Sequence, residues 1–210
     1  MNINIKGEGV NYMKKRKTIV LIFLLVFTVI NLVGCKNLSK QTKEDIYEDF
    51  QKKITKMTSY TCKAEITIIN NKSESKYIMN HTYKKPSYYK LEIIEPKNLN
   101  GKTTEYYKDK IIIKNKQLDD VIELPNVGDN KLYLFIGDFV QDFLQEDSIN
   151  MSVSEKQLIL ERDLSHENSC LSKQILYIDK KTKNPVKMEI LNNEGEKKFI
   201  VNYTDFQTQN

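Results

Sequence analysis

From Tyr60 onward the chain alternates. Tyr60, Cys62, Ala64, Ile66 and Ile68 are separated by polar residues, and Asn70-Asn71-Lys72-Ser73 interrupts the pattern. Residues two apart on a strand share a face, so the stretch predicts a half-buried strand followed by a turn. Tyr77, Met79, His81 and Tyr83 repeat the phase, ending at Lys84-Lys85-Pro86-Ser87. Tyr89, Leu91 and Ile93 repeat it again, closed by Glu95-Pro96 and the turn around Asn100-Gly101. Residues 103–107 and 111–114 pair around Lys108-Asp109-Lys110. This predicts a meander of about five antiparallel strands joined by hairpin turns. Strand patterns resume over residues 157–162, 171–179, 186–191 and 197–206, across the turns Lys183-Asn184-Pro185 and Asn192-Asn193-Glu194-Gly195.

Two segments break the alternation. Thr42 caps a predicted helix with acids in its first turn, and Ile46, Phe50, Ile54 and Met57 form its apolar stripe. Leu132, Phe135, Ile136, Phe139, Val140, Phe143 and Leu144 follow helical spacing and give a wide, aromatic face. The fold class is therefore α+β. A sheet of this length must curl around apolar filling, and the two helices supply it.

The amino-terminal end reads as a processing signal. Residues 19–30, IVLIFLLVFTVI, form an apolar run of twelve behind Lys14, Lys15, Arg16 and Lys17. A membrane-spanning helix needs roughly 20 apolar residues, whereas a secretory signal has this order of basic, apolar and small residues. Leu32-Val33-Gly34-Cys35 resembles the bacterial lipobox. That resemblance implies cleavage before Cys35 and a diacylglyceryl thioether on its sulfur. The expected organisation is a lipoprotein signal over residues 1–34, with translation starting at Met1 or Met13. A lipidated tether follows over 35–41, then a single domain over 42–210. The mature chain would be held by acyl chains at the extracytoplasmic face of the cell membrane.

Removal of the signal alters the charge. It takes 5 of the 33 basic and 1 of the 28 acidic residues, leaving 28 against 27 and a net charge near +1. No clustered basic surface of the kind a nucleic-acid partner requires remains. Beyond Cys35 only Cys62 and Cys170 are left. Outside the membrane they could form one disulfide, and two free buried thiols are the alternative.

A catalytic centre is hard to assemble from these residues. There are two histidines. His81 reads as a satisfied barrel-face residue, and His166 lies in the polar loop over 163–169. Zinc catalysis needs about three side-chain ligands, and neither H-E-x-x-H nor C-x-x-C occurs. Asp163, His166 and Glu167 lack the strained nucleophile turn of a triad. Asp119-Asp120 reads as a polar turn with two ionised carboxylates. The expectation is a protein without catalytic residues, metal or cofactor. The stripe Phe135, Phe139 and Phe143 is either core or a face for an apolar ligand or partner.

Tyr83-Lys84-Lys85-Pro86-Ser87-Tyr88-Tyr89-Lys90-Leu91-Glu92, then Gly101-Lys102 and Tyr106-Tyr107-Lys108-Asp109-Lys110-Ile111, resemble the core hairpins of LolA/LolB-like proteins. Leu176-Tyr177-Ile178-Asp179, Asn184-Pro185-Val186-Lys187-Met188-Glu189 and Val201-Asn202-Tyr203 resemble that family's closing strands. The resemblance implies an incomplete, half-open antiparallel β-barrel wrapped over helices. With its lipobox and its Lys, Ile, Asn and Tyr content, the chain is most similar to the GerS-like germination lipoproteins of clostridial spore formers. That similarity implies a location on spore or forespore membranes. It also implies a protein partner, a CwlD-like N-acetylmuramoyl-L-alanine amidase that makes muramic-δ-lactam in the spore cortex. The alternative is a carrier or sensor of lipids or other apolar ligands at the envelope.

Overall fold

The computed structural model describes residues 42–126, 134–143, 150–164 and 170–209. Thr42 has extended backbone angles and caps α1 (Lys43–Lys56). The Asp45 N–H donates to the Thr42 hydroxyl at 3.1 Å, and the Thr42 N–H donates to the Asp45 carboxylate at 3.0 Å. This reciprocal capping box satisfies two donors that the first turn leaves open. It also holds the Asp45 carboxyl below its ordinary pKa. Ile46, Phe50 and Ile54 then place one face of α1 in the core.

Eleven strands follow among the described residues. They are β1 (Ser59–Asn70), β2 (Ser73–Lys84), β3 (Tyr88–Glu95), β4 (Lys102–Tyr106), β5 (Lys110–Asn115), β6 (Asp120–Pro125), β7 (Asn150–Val153), β8 (Gln157–Asp163), β9 (Leu171–Asp179), β10 (Pro185–Asn192) and β11 (Lys197–Gln209). Their order is β6-β5-β4-β3-β2-β1-β11-β10-β9-β8-β7, with every neighbouring pair antiparallel. Two meanders thus meet where β1 pairs with β11, and the sheet remains open at β6 and β7. A bulge marks that seam. The register slips between Thr61 and Lys63, and Asp205 takes φ +53°, the left-handed region that a β-bulge uses.

The expected strands are present, and β6 and β7 are additional. Asp119 does turn, with φ +49°, but Asp120 already begins β6. All six residues of β6 are exposed, so neither face imposes the alternation by which a half-buried strand is recognised. β7 spans four residues, too few for a periodic pattern.

α2 (Ile136–Phe143) lies within the helix expected over 132–144. Phe135, Ile136, Phe139 and Val140 enter one core cluster with Ile46, Phe50 and Ile54 of α1 and the inner residues of the sheet. Both helices therefore fill the curl of the open sheet, as the sequence predicts.

Candidate functional site

Register assigns the inner face of the first meander. His81 opposes Leu91, Tyr83 opposes Tyr89, and Tyr89 opposes Tyr106. Tyr106 opposes Ile111, and Ile111 opposes Leu124. A continuous apolar row thus runs from the buried centre to the open edge. Its burial falls along the way. Tyr83 is buried, Leu91, Tyr106 and Ile111 are half-buried, and Ile122 and Leu124 at the edge are 47% and 44% exposed. Val121 on the opposite face is 60% exposed, and Leu118 in the preceding turn 72%. Strand edges of this kind present unpaired backbone groups as well as apolar side chains. Among the described residues only the outer end of this row and the β6 edge are exposed, making that end the candidate binding surface.

The start of α2 seals the inner end of the row. The Phe135 ring lies 4.5 Å from that of Tyr89, 5.4 Å from His81 and 5.9 Å from Tyr106, between ring centres. The Tyr203 hydroxyl donates to the Leu134 carbonyl at 3.0 Å. Gly137 fits against the Tyr83 ring so closely that a Cβ there would sit 2.8 Å from Tyr83 Cε2. Phe139 lies beneath the Arg162 guanidinium, 5.2 Å from ring centre to Cζ. Arg162 Nε donates to Gln174 Oε1 at 2.8 Å. Arg162 follows Leu158 and Leu160 in inward phase on β8, and that phase was the signal available for its burial.

Carboxylates on the outer face are neutralised locally. Lys187 and Lys197 both pair with Glu189, and the Tyr177 hydroxyl donates to it at 3.0 Å. Burial raises the Glu189 pKa, but these hydrogen bonds outweigh it and the net shift is downward. Glu105 has the same arrangement. Burial raises it, and Lys114 at 2.8 Å with the Tyr107 hydroxyl at 2.7 Å reverses the sign. These carboxylates are ionised structural partners in ordinary conditions.

The residues singled out in the sequence separate widely. Phe135 and Phe139 are buried at 1% and 0% exposure, which places them in the core. The Phe143 side chain, His166 and Cys35 lie outside the described residues. Cys62 and Cys170 are both free, which corrects the disulfide reading, and with Cys170 exposed the alternative of two buried thiols holds for Cys62 alone. Cys170 lines a cleft of about 360 Å³ with Ile68, Ile69 and Asn70. Ile68 is six residues along β1 from Cys62, about 20 Å of strand. A disulfide requires Cα atoms within about 7 Å. Burial pushes the Cys62 thiol up to about 12. His81 faces the barrel interior as expected, but neither ring nitrogen finds a hydrogen-bond partner among the described residues, so it is not satisfied there. Among the described residues, no three His, Cys, Asp or Glu side chains could hold a metal. No helix among them is long and apolar enough to cross a membrane.

An apolar, half-open sheet is a binding architecture, and comparison with known proteins gives it a context. The model of a family described as sporulation protein YdcC-like matches residues 14–210. Sporulation protein YdcC of Bacillus subtilis (strain 168) is 24% identical over 199 residues, covering 92% of this chain and 57% of that protein. The chain therefore spans little more than half the length of that relative. A chain in the structure of the CwlD amidase from Clostridioides difficile in complex with the GerS lipoprotein is 47% identical. The match covers 81% of this chain and 98% of that one, with a TM-score of 0.53. An uncharacterized conserved protein from Thermus thermophilus shares the fold at 12% identity and a TM-score of 0.50, over 80% of this chain and 87% of that one. The family match runs through the apolar amino-terminal stretch and both meanders, and by it the chain belongs to the YdcC-like family of sporulation proteins.

Proposed function

We propose that this chain is a membrane-anchored, non-catalytic lipoprotein that binds and supports a CwlD-like N-acetylmuramoyl-L-alanine amidase during sporulation. Through that enzyme it serves formation of muramic-δ-lactam in the cortex, and hence germination. One observation carries the reading. The chain is 47% identical, over 98% of the matched chain, to a component of the complex between the CwlD amidase and the GerS lipoprotein. The exposed edge at Ile122 and Leu124 offers such a partner apolar surface to bury. The lipobox at Cys35 supports an anchor that keeps the pair at the membrane. Deleting the gene is expected to give spores that lack muramic-δ-lactam and fail to germinate. Spores with unchanged cortex chemistry would overturn the proposal.

A second reading, a carrier or sensor of lipids, draws on the same half-open apolar face. Native mass spectrometry of the protein extracted from membranes distinguishes the two. A retained lipid favours the carrier, and a retained amidase favours the partner.

A further inference from the structure

His81 sits in β2 with no exposed surface, and neither of its nitrogens is hydrogen-bonded among the described residues. Such a ring is stable only while neutral, because an imidazolium in an apolar setting needs an acceptor or a counter-charge. Lys63, Glu92 and Asp205 line a cleft that also includes His81, yet no charged group among the described residues is hydrogen-bonded to the ring or shifts it. Cys62 opposes it on β1 and Leu91 on β3. The Tyr203 ring of β11 lies at 6.3 Å and Phe135, just before α2, at 5.4 Å. Leu91 and Phe135 cannot titrate. Burial pushes the Cys62 thiol up to about 12 and raises the Tyr203 phenol well above its ordinary value, so both stay neutral in acid. Arg162, the buried cation of β8, reaches α2 at Phe139 rather than at His81. Burial alone lowers the His81 pKa, to about 4.

The same ring forms part of the seat of α2. Phe135 packs on it, Leu134 is tied through Tyr203, and Gly137 presses on Tyr83 two residues along β2. Separating this segment from the sheet would bring water to the imidazole. We propose that His81 is an acid-sensitive latch, whose protonation by solvent releases the segment 134–143 from the sheet and opens the concave face.

The sign follows from linkage. Above pH 6.5 the ring is neutral in both forms and the equilibrium does not depend on it. Between pH 6.5 and about 4 the released form binds a proton that the packed form refuses. The ratio of released to packed protein therefore rises tenfold per pH unit, on the order of 10² in all. Below that window both forms are protonated and the ratio levels. Glu105 and Glu189 are both held below their ordinary range. They take up protons only at the acid end of this window, so they do not produce its upper part.

Amide hydrogen exchange of the full chain in detergent, corrected for the intrinsic pH dependence of exchange, tests the latch. Opening of residues 134–143 relative to β9 and β10 is expected to increase on the order of 10² from pH 6.5 to 4. In His81→Leu and in His81→Gln it is expected to be flat. The two variants guard against one of them misfolding. His166→Gln leaves His81 as the sole histidine, and its ring resonance is expected to stay neutral until pH is near 4. Equal pH dependence in wild type and both variants, or a His81 ring that titrates near 6.5 with α2 in place, would overturn the proposal.

Discussion

The two meanders share a sheet but not an environment. In β8, β9 and β10 the inner residues Leu158, Leu160, Leu176, Ile178 and Met188 are completely buried. In β5 no residue is fully buried, and in β6 every residue is exposed. The edges differ in the same sense. β7 is four residues long, with Met151 and Val153 between polar residues, a short edge, whereas β6 has six residues that include Val121, Ile122 and Leu124. Natural sheets usually shield a long apolar edge. The inner strands of both meanders therefore share the packed core, while the outer strands β5 and β6 of the first are free to evolve contacts with something else.

Substitutions should expose that division. The largest effect is expected in the buried strands of the second meander, where Leu176→Ala should cost about 2–5 kcal/mol through cavity formation, seen as a lower denaturant midpoint. Ile122→Ala, a deletion of similar size at the open edge, should stay within about 0.5 kcal/mol. Equal losses at the two positions would erase the distinction.

Gly137→Ala probes the seal between them. An alanine gains about 1 kcal/mol of helix propensity, but its Cβ meets the Tyr83 ring at 2.8 Å, and overpacking typically costs about 1–3 kcal/mol. Net destabilisation is expected in thermal melts. A stabilised variant would mean that Tyr83 yields easily and α2 is loosely seated.

Glu189→Gln should cost about 1–3 kcal/mol, because the buried carboxylate that Lys187, Lys197 and Tyr177 converge on is lost. Since the folded carboxyl is held below its ordinary pKa of 4.5, its stabilisation is present above that value and is lost as pH falls below it. The variant should lack this part of the acid dependence in denaturant titrations.

Much of this division was legible in the sequence, and the reasons for the rest are physical. The capping box at Thr42 and Asp45 is a local motif, and the alternation through β1–β3 reports a face buried on one side only. β6 escaped because an exposed edge has no buried face to imprint a period. The disulfide reading failed because the distance between Cys62 and Cys170 depends on where a late loop meets β1, which spacing along the chain does not encode. The burial of Phe135 and Phe139 became visible only with Tyr89, Tyr106 and Arg162 in place. The lack of a partner for His81 likewise depends on three separate strands.

The smallest effect on stability should accompany the largest on binding. Ile122→Asp, at 47% exposure, is expected to change folding stability by no more than about 0.5 kcal/mol. Placed within an apolar contact, the same carboxylate should weaken partner binding at least about tenfold.

The most direct measurement is capture from sporulating cells with the tagged, full-length protein, wild type beside Ile122→Asp. The account expects the wild type to retain an N-acetylmuramoyl-L-alanine amidase through washing, and the variant to lose it while folding normally. A wild-type protein that retains no amidase would contradict the proposed function. An amidase held equally by both would move its docking surface away from the open edge.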